Sequence, residues 1–170
     1  VFRGTCLVNE WLQQCDSLCD GGIEEADVAI LDNVFSYWGW SSEMDLCQMK
    51  AWRRSWWFTI LRCLQSQIGI HALYTDDAAD ATVCKGEIIV GKRTYTTILV
   101  PWCGYIEERV LNKLQHAAKA GVRVIWFGGG PKWAVAPRES LMPIGNLPGT
   151  VIKTVKPSRA WLKANLPAQA

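Results

Sequence analysis

The sequence lacks any apolar run near the roughly 20 residues that a membrane-crossing helix needs, so a helical membrane span is excluded. It has no CxxC pair and no Cys/His cluster, and only His71 and His116 could complete one, so no metal site is expected. Neither GxGxxG nor GxxxxGK[ST] occurs, which removes the two commonest phosphate-binding signatures. The start has no basic n-region and no apolar h-region, so no targeting signal is expected there. Charged residues make up only 20% of the chain against 49% apolar ones, too few for a disordered charged tail.

What is present fits one domain with a short appendage: 170 residues, with 18 basic and 16 acidic side chains. Tryptophan is over-represented, ten against four Tyr and four Phe. Cys6, Cys15, Cys19, Cys47, Cys63, Cys84 and Cys103 are scattered and odd in number. They are expected to be mostly buried free thiols, usage that favours a reducing, cytoplasmic setting. Charge is lopsided: residues 1–32 carry seven acids and one Arg, and residues 109–170 carry ten basic residues against Glu139. The basic residues are spread through several elements rather than gathered with aromatics, so no nucleic-acid partner is expected.

Leu7, Val8, Trp11, Leu12, Cys15 and Leu18 recur at helical spacing ahead of Gly21-Gly22. A short apolar run, Ala26 to Leu31, reads as a strand buried on both faces of a parallel sheet. Ser42 and Asp45 look like a capping box for a long amphipathic helix over residues 46–68, with Leu46, Met49, Arg53, Trp56, Trp57, Ile60, Leu61 and Leu64 on one stripe. Strands are predicted at Ile70–Tyr74, Glu87–Val90, Thr96–Val100, Val122–Phe127 and Val151–Val155. Helices are predicted over residues 75–83 and 106–120, the latter turning Val110, Leu111, Leu114 and Ala118 inward, with a last one started by Ser158. The alternation predicts an α/β fold, a three-layer flavodoxin-like parallel sheet with helices on both faces.

In such folds ligands bind beyond the carboxyl ends of the strands. Those positions hold Asp32, Asn33, Trp38 and Trp40 after the first strand, and Asp76 and Asp77 after the second. Trp102, Cys103, Gly104 and Tyr105 follow the third, and Gly128-Gly129-Gly130, Lys132 and Trp133 the fourth. Trp38, Trp40, Trp102, Tyr105 and Trp133 are candidates for a carbohydrate-stacking platform or for an interface, whereas Trp52, Trp56 and Trp57 are read as core. Asp32 and Asp76 are weak acid candidates, able to act as a glycosidic pair only if they converge. Cys103 is read as a structural thiol, and His71 and His116 as packing residues. The triple glycine could offer bare N–H groups to an anion, although Pro131 removes one donor.

The stretches "ADVAIL", "SYWGW", "GIHALYTDD", "GEIIVGKRTYTTILVPWCGYIEERVLNKLQHAAKAGVRVIWFGG" and "RAWLKANLP" resemble the glutamine-amidotransferase-like domain of multidomain glycoside hydrolases, α-L-rhamnosidase-like enzymes among them, and more distantly the middle, trimerisation domain of some β-galactosidases. The match is densest over Tyr95–Gly128 and looser over residues 9–166. It implies that residues 1–22 are a helical lead-in at the end of a preceding catalytic barrel and that residues 23–170 are the α/β domain. Its implied partners are that barrel and a following β-domain of the same chain, carbohydrate, and copies of itself; no cofactor is implied. A working amidotransferase of this kind carries its nucleophilic Cys on the elbow filled here by Gly128-Gly129-Gly130. No Cys follows Cys103 and no His follows His116, so amidotransferase catalysis by this segment is not expected. The expected function is that of a non-catalytic accessory domain; the alternative is a small flavodoxin-like enzyme or a nucleotide- or flavin-binding protein using the same rim.

Overall fold

The computed structural model describes residues 26–33, 46–136, 140–154 and 156–166. Along the chain run β1 (Val28–Asp32), α1 (Leu46–Gln65), β2 (Ile70–Tyr74), α2 (Thr75–Asp80), β3 (Thr82–Cys84), β4 (Glu87–Val90), β5 (Arg93–Tyr95), β6 (Thr97–Val100), β7 (Tyr105–Glu107), α3 (Glu108–Lys119), β8 (Arg123–Phe127), β9 (Trp133–Val135), β10 (Leu141–Pro143), β11 (Thr150–Ile152) and α4 (Arg159–Asn165). Five of the strands form one parallel sheet in the order β11-β8-β6-β1-β2. Numbered by their sequence among themselves, these strands lie 2-1-3-4-5, the doubly wound order. The fold is α/β, as the alternation predicts.

Strand alternation sends side chains to opposite faces, and both faces are covered. Ala29, Leu31, Ile98, Val100, Val124 and Trp126 meet Ala78 of α2 and Val110, Leu114 and Ala117 of α3. Val28, Ile30, Leu99, Ile125 and Phe127 meet Cys63 of α1 and Leu162 of α4. Strands buried on two sides must be apolar throughout, which is why their sequences read as runs rather than as alternations.

Two small sheets decorate this frame: the antiparallel β3-β4-β5 meander, and β10-β9-β7, where β9 runs parallel to β7 and antiparallel to β10. Of these strands the sequence pattern marks only β4. β7 occupies the first residues of the predicted 106–120 helix, so that α3 starts at Glu108. Ser158 caps α4 as expected, its Oγ accepting from the Trp161 N–H at 3.1 Å. The capping box at Ser42 and Asp45 lies outside the described residues.

The long helix departs from its predicted orientation. Ser55, Thr59 and Cys63 are its buried line, while Arg53, Trp57, Leu61 and Leu64, placed by spacing on the inward stripe, are exposed. Trp57, read as core, is 56% exposed. The polar positions are accommodated by hydrogen bonds: the Thr59 hydroxyl donates to the Ser55 carbonyl at 2.7 Å, and the Ser55 hydroxyl accepts from the Trp102 N–H at 2.9 Å. A helix holding small residues against the sheet can approach closely, and here that geometry prevails over bulk hydrophobicity.

Cys63 and Cys103 are buried as expected, but Cys84 is exposed. His71 is packed, its Nδ1 3.3 Å from the Tyr95 hydroxyl with the rings edge-to-face. His116, also expected to be a packing residue, is exposed on α3, because its position falls on the helix flank turned from the sheet.

Candidate functional site

The order 2-1-3 puts a switch point between β1 and β6: the chain leaves β1 for α1 on one face and β6 for α3 on the other. Connections that diverge leave a crevice beyond the strand ends. A cleft of about 390 Å³ opens on the same rim but one strand over, between the segments that follow β6 and β8, lined by Trp102, Cys103, Gly104, Tyr105, Gly128, Gly129, Gly130, Lys132 and Trp133.

Each wall has a local cause. Trp102 follows Pro101 at the end of β6, and its backbone is tied by the hydrogen bond to Ser55 of α1. Tyr105 and Trp133 are register partners at the starts of β7 and β9, so pairing of those strands sets the two rings along one wall. Asn33, buried just past β1, donates from Nδ2 to the Tyr105 carbonyl at 2.6 Å and locks β7 to the sheet. Trp133 is 40% exposed, Lys132 is exposed, and Cys103 is fully buried. Three of the predicted aromatics therefore share one cleft; Trp38 and Trp40 lie outside the described residues.

The floor is the glycine run after β8. Gly128, Gly129 and Gly130 all have positive φ (70°, 89° and 71°), which side-chain-bearing residues rarely adopt. Their N–H groups are not turned to a ligand. That of Gly128 donates to the Thr154 carbonyl at 2.9 Å, that of Gly129 to the Ile152 carbonyl at 3.1 Å, and that of Gly130 to the Phe127 carbonyl at 3.5 Å. An anion cradle needs convergent donors, and these bonds engage them. The loop instead extends the β8–β11 pairing beyond the sheet.

Among the described residues the cleft wall holds no imidazole and no carboxylate. Asp32 ends β1 half-buried, and burial pushes its carboxyl above the usual carboxylate range. Asp76 sits in the first turn of α2 and is paired with Arg109 of α3, which also donates from Nε to Glu107 at 2.5 Å. Those two acids hold the Arg109 charge more firmly, Glu107 first. Asp76 thus laces α2 to α3. Asp77 instead lines a second cleft, of about 310 Å³, with Lys92, Arg93 and Tyr95.

Sequence reasoning from strand ends finds Trp102, Tyr105 and Trp133 but misses Ser55, whose only signal is a small hydroxyl residue, four before Thr59, in a tryptophan-rich helix. No known family, curated protein or solved structure matches the chain.

Proposed function

We propose that this α/β unit is a non-catalytic accessory domain of a larger glycoside hydrolase, supporting the catalytic barrel or contacts between copies, and presenting the rings of Trp102, Tyr105 and Trp133 to carbohydrate. The observation that carries the reading is a cleft walled by three aromatic residues and floored by glycine backbone. Flat apolar rings suit the apolar faces of sugars, and Lys132 at the mouth supplies a donor for a ring hydroxyl or an acidic sugar. The position after β8 is Gly128, which offers no nucleophile, and the thiol on the cleft wall, Cys103, is buried. Among the described residues the cleft wall pairs no accessible thiol with a base, which favours a binding role over acyl transfer. The sequence resemblance supplies the glycoside-hydrolase context.

Titration of the chain with neutral and acidic oligosaccharides, followed by tryptophan fluorescence, tests this. A saturable change at millimolar sugar is expected, with affinity weakened about tenfold in Trp133→Ala, the loss of one ring's stacking. No change at millimolar ligand removes carbohydrate from the reading. A saturable response to flavin or nucleotide instead would favour the enzyme or cofactor-binding alternative.

A further inference from the structure

The second cleft, of about 310 Å³, shares no lining residue with the aromatic one. Its back wall is β2, the last strand of the main sheet among the described residues. Ala72 and Leu73 of that wall are consecutive, so one of them turns its backbone N–H and C=O away from β1. Facing β2 stands the turn between β4 and β5. Val90 pairs with Arg93, which leaves Gly91 and Lys92 as a two-residue turn, and Gly91 takes the positive φ (60°) that such a turn asks of its first residue. Ile88 and Tyr95, on the strands behind the turn, are buried in the core and anchor it.

Three charged side chains line this cleft without neutralising one another. Asp76 is paired with Arg109, but among the described residues Asp77, Lys92 and Arg93 make no ion pair. Opposite charges that share a cleft and do not reach each other leave room for a ligand that answers both. Lys92 and Arg93 are adjacent, so an anion between them meets an ammonium and a planar guanidinium fork. Two cations suit a dianion. A carboxylate only accepts hydrogen bonds, so Asp77 repels a bare anion and favours one that brings hydroxyl donors. Leu73 and Val90 add apolar surface for a carbon skeleton. The volume lies at the low end of ligand pockets, roughly 300–1,000 Å³, and suits a molecule of monosaccharide size.

We infer that this cleft binds the phosphate monoester of a small sugar or polyol. Lys92 and Arg93 hold the phosphate, while Asp77 and the free backbone edge of β2 take the hydroxyls. The assignment is independent of what the aromatic cleft binds.

The test follows amide NMR shifts of the full chain during titration with glucose 6-phosphate, inorganic phosphate and glucose. It is run at low salt and about pH 7.5, where a phosphate monoester is mostly a dianion. Saturable shifts of Ala72, Gly91 and Lys92 are expected with glucose 6-phosphate, about tenfold tighter than with inorganic phosphate and absent with glucose. Replacing both Lys92→Ala and Arg93→Ala should weaken the monoester about tenfold or more. Asp77→Asn should weaken it about threefold yet tighten inorganic phosphate, the opposite signs that selection for hydroxyls requires. All three side chains are exposed, so urea unfolding of the variants should match that of the unsubstituted chain. Absence of saturable shifts at these amides overturns the proposal, as does binding that survives the double substitution. Equal affinity for the two phosphates overturns it in favour of a non-selective basic patch. Shifts confined to Gly129 and Lys132 overturn it in favour of the aromatic cleft.

Discussion

α3 and α1 cover opposite faces of one sheet and are patterned in opposite senses. In α3, Val110, Leu111, Leu114 and Ala117 are buried, while Arg109, Asn112, His116 and Lys119 are exposed. In α1, Ser55, Thr59 and Cys63 are buried, and Trp57, Leu61 and Leu64 are exposed. A helix patterned like α3 is finished against water. One patterned like α1 has apolar surface on both sides, the arrangement of a middle layer. The contrast teaches that α3 presents a polar side to water, whereas the outer side of α1 keeps an exposed apolar line at Trp57, Leu61 and Leu64.

Substitutions on the two helices can break or sharpen that contrast. Leu114→Ala empties a fully buried position on the finished face and is expected to cost about 2–5 kcal/mol in urea unfolding. A loss well under 1 kcal/mol would show that α3 is not the better-packed helix. Ser55→Ala withdraws the acceptor from the Trp102 N–H, with an expected cost of about 1–3 kcal/mol. It should also change Trp102 emission, since α1 positions that residue in the cleft. Stability lost without any spectral change would uncouple the helix from the site.

The smallest expected effect concerns pH. Burial pushes the Cys63 thiol up to about 12. Its folded value lies above its unfolded one, so the native state favours the protonated form. That contribution is complete below the unfolded value, about 8.5, and declines as pH rises from there towards 12. At pH 9.5 the loss should be about 1 kcal/mol relative to Cys63→Ala, read from paired urea curves. Identical pH slopes in the two proteins would show that Cys63 is wetter than the α1 packing implies. Thiol reagents at neutral pH should modify Cys84 ahead of Cys63 and Cys103 among the described cysteines.

The α/β class was legible because a doubly covered strand has only one workable composition: Val28–Leu31, Thr97–Val100 and Val124–Phe127 read as strands on their own. The amphipathic face of α3 was legible for the same reason. β7 and β9 were not, since three-residue strands such as Tyr105–Glu107 have too few alternations to stand out, and they exist only because β9 returns to pair with β7. The cleft was half legible. Strand ends pointed to Asn33, Trp102, Tyr105 and Trp133, while Ser55, which ties Trp102 to α1, carries no local pattern.

Composition and periodicity alone determined the α/β class, the main strands and the glycine run after β8, because these depend on residue type and on spacing along the chain. Tertiary structure decided which side of α1 meets the sheet, that the glycine N–H groups bond back to Ile152 and Thr154, and that Asp76 belongs to an ion pair with Arg109. Each of these depends on which distant residue arrives as a partner, and hydrogen bonds and close packing are settled only when both sides are in place.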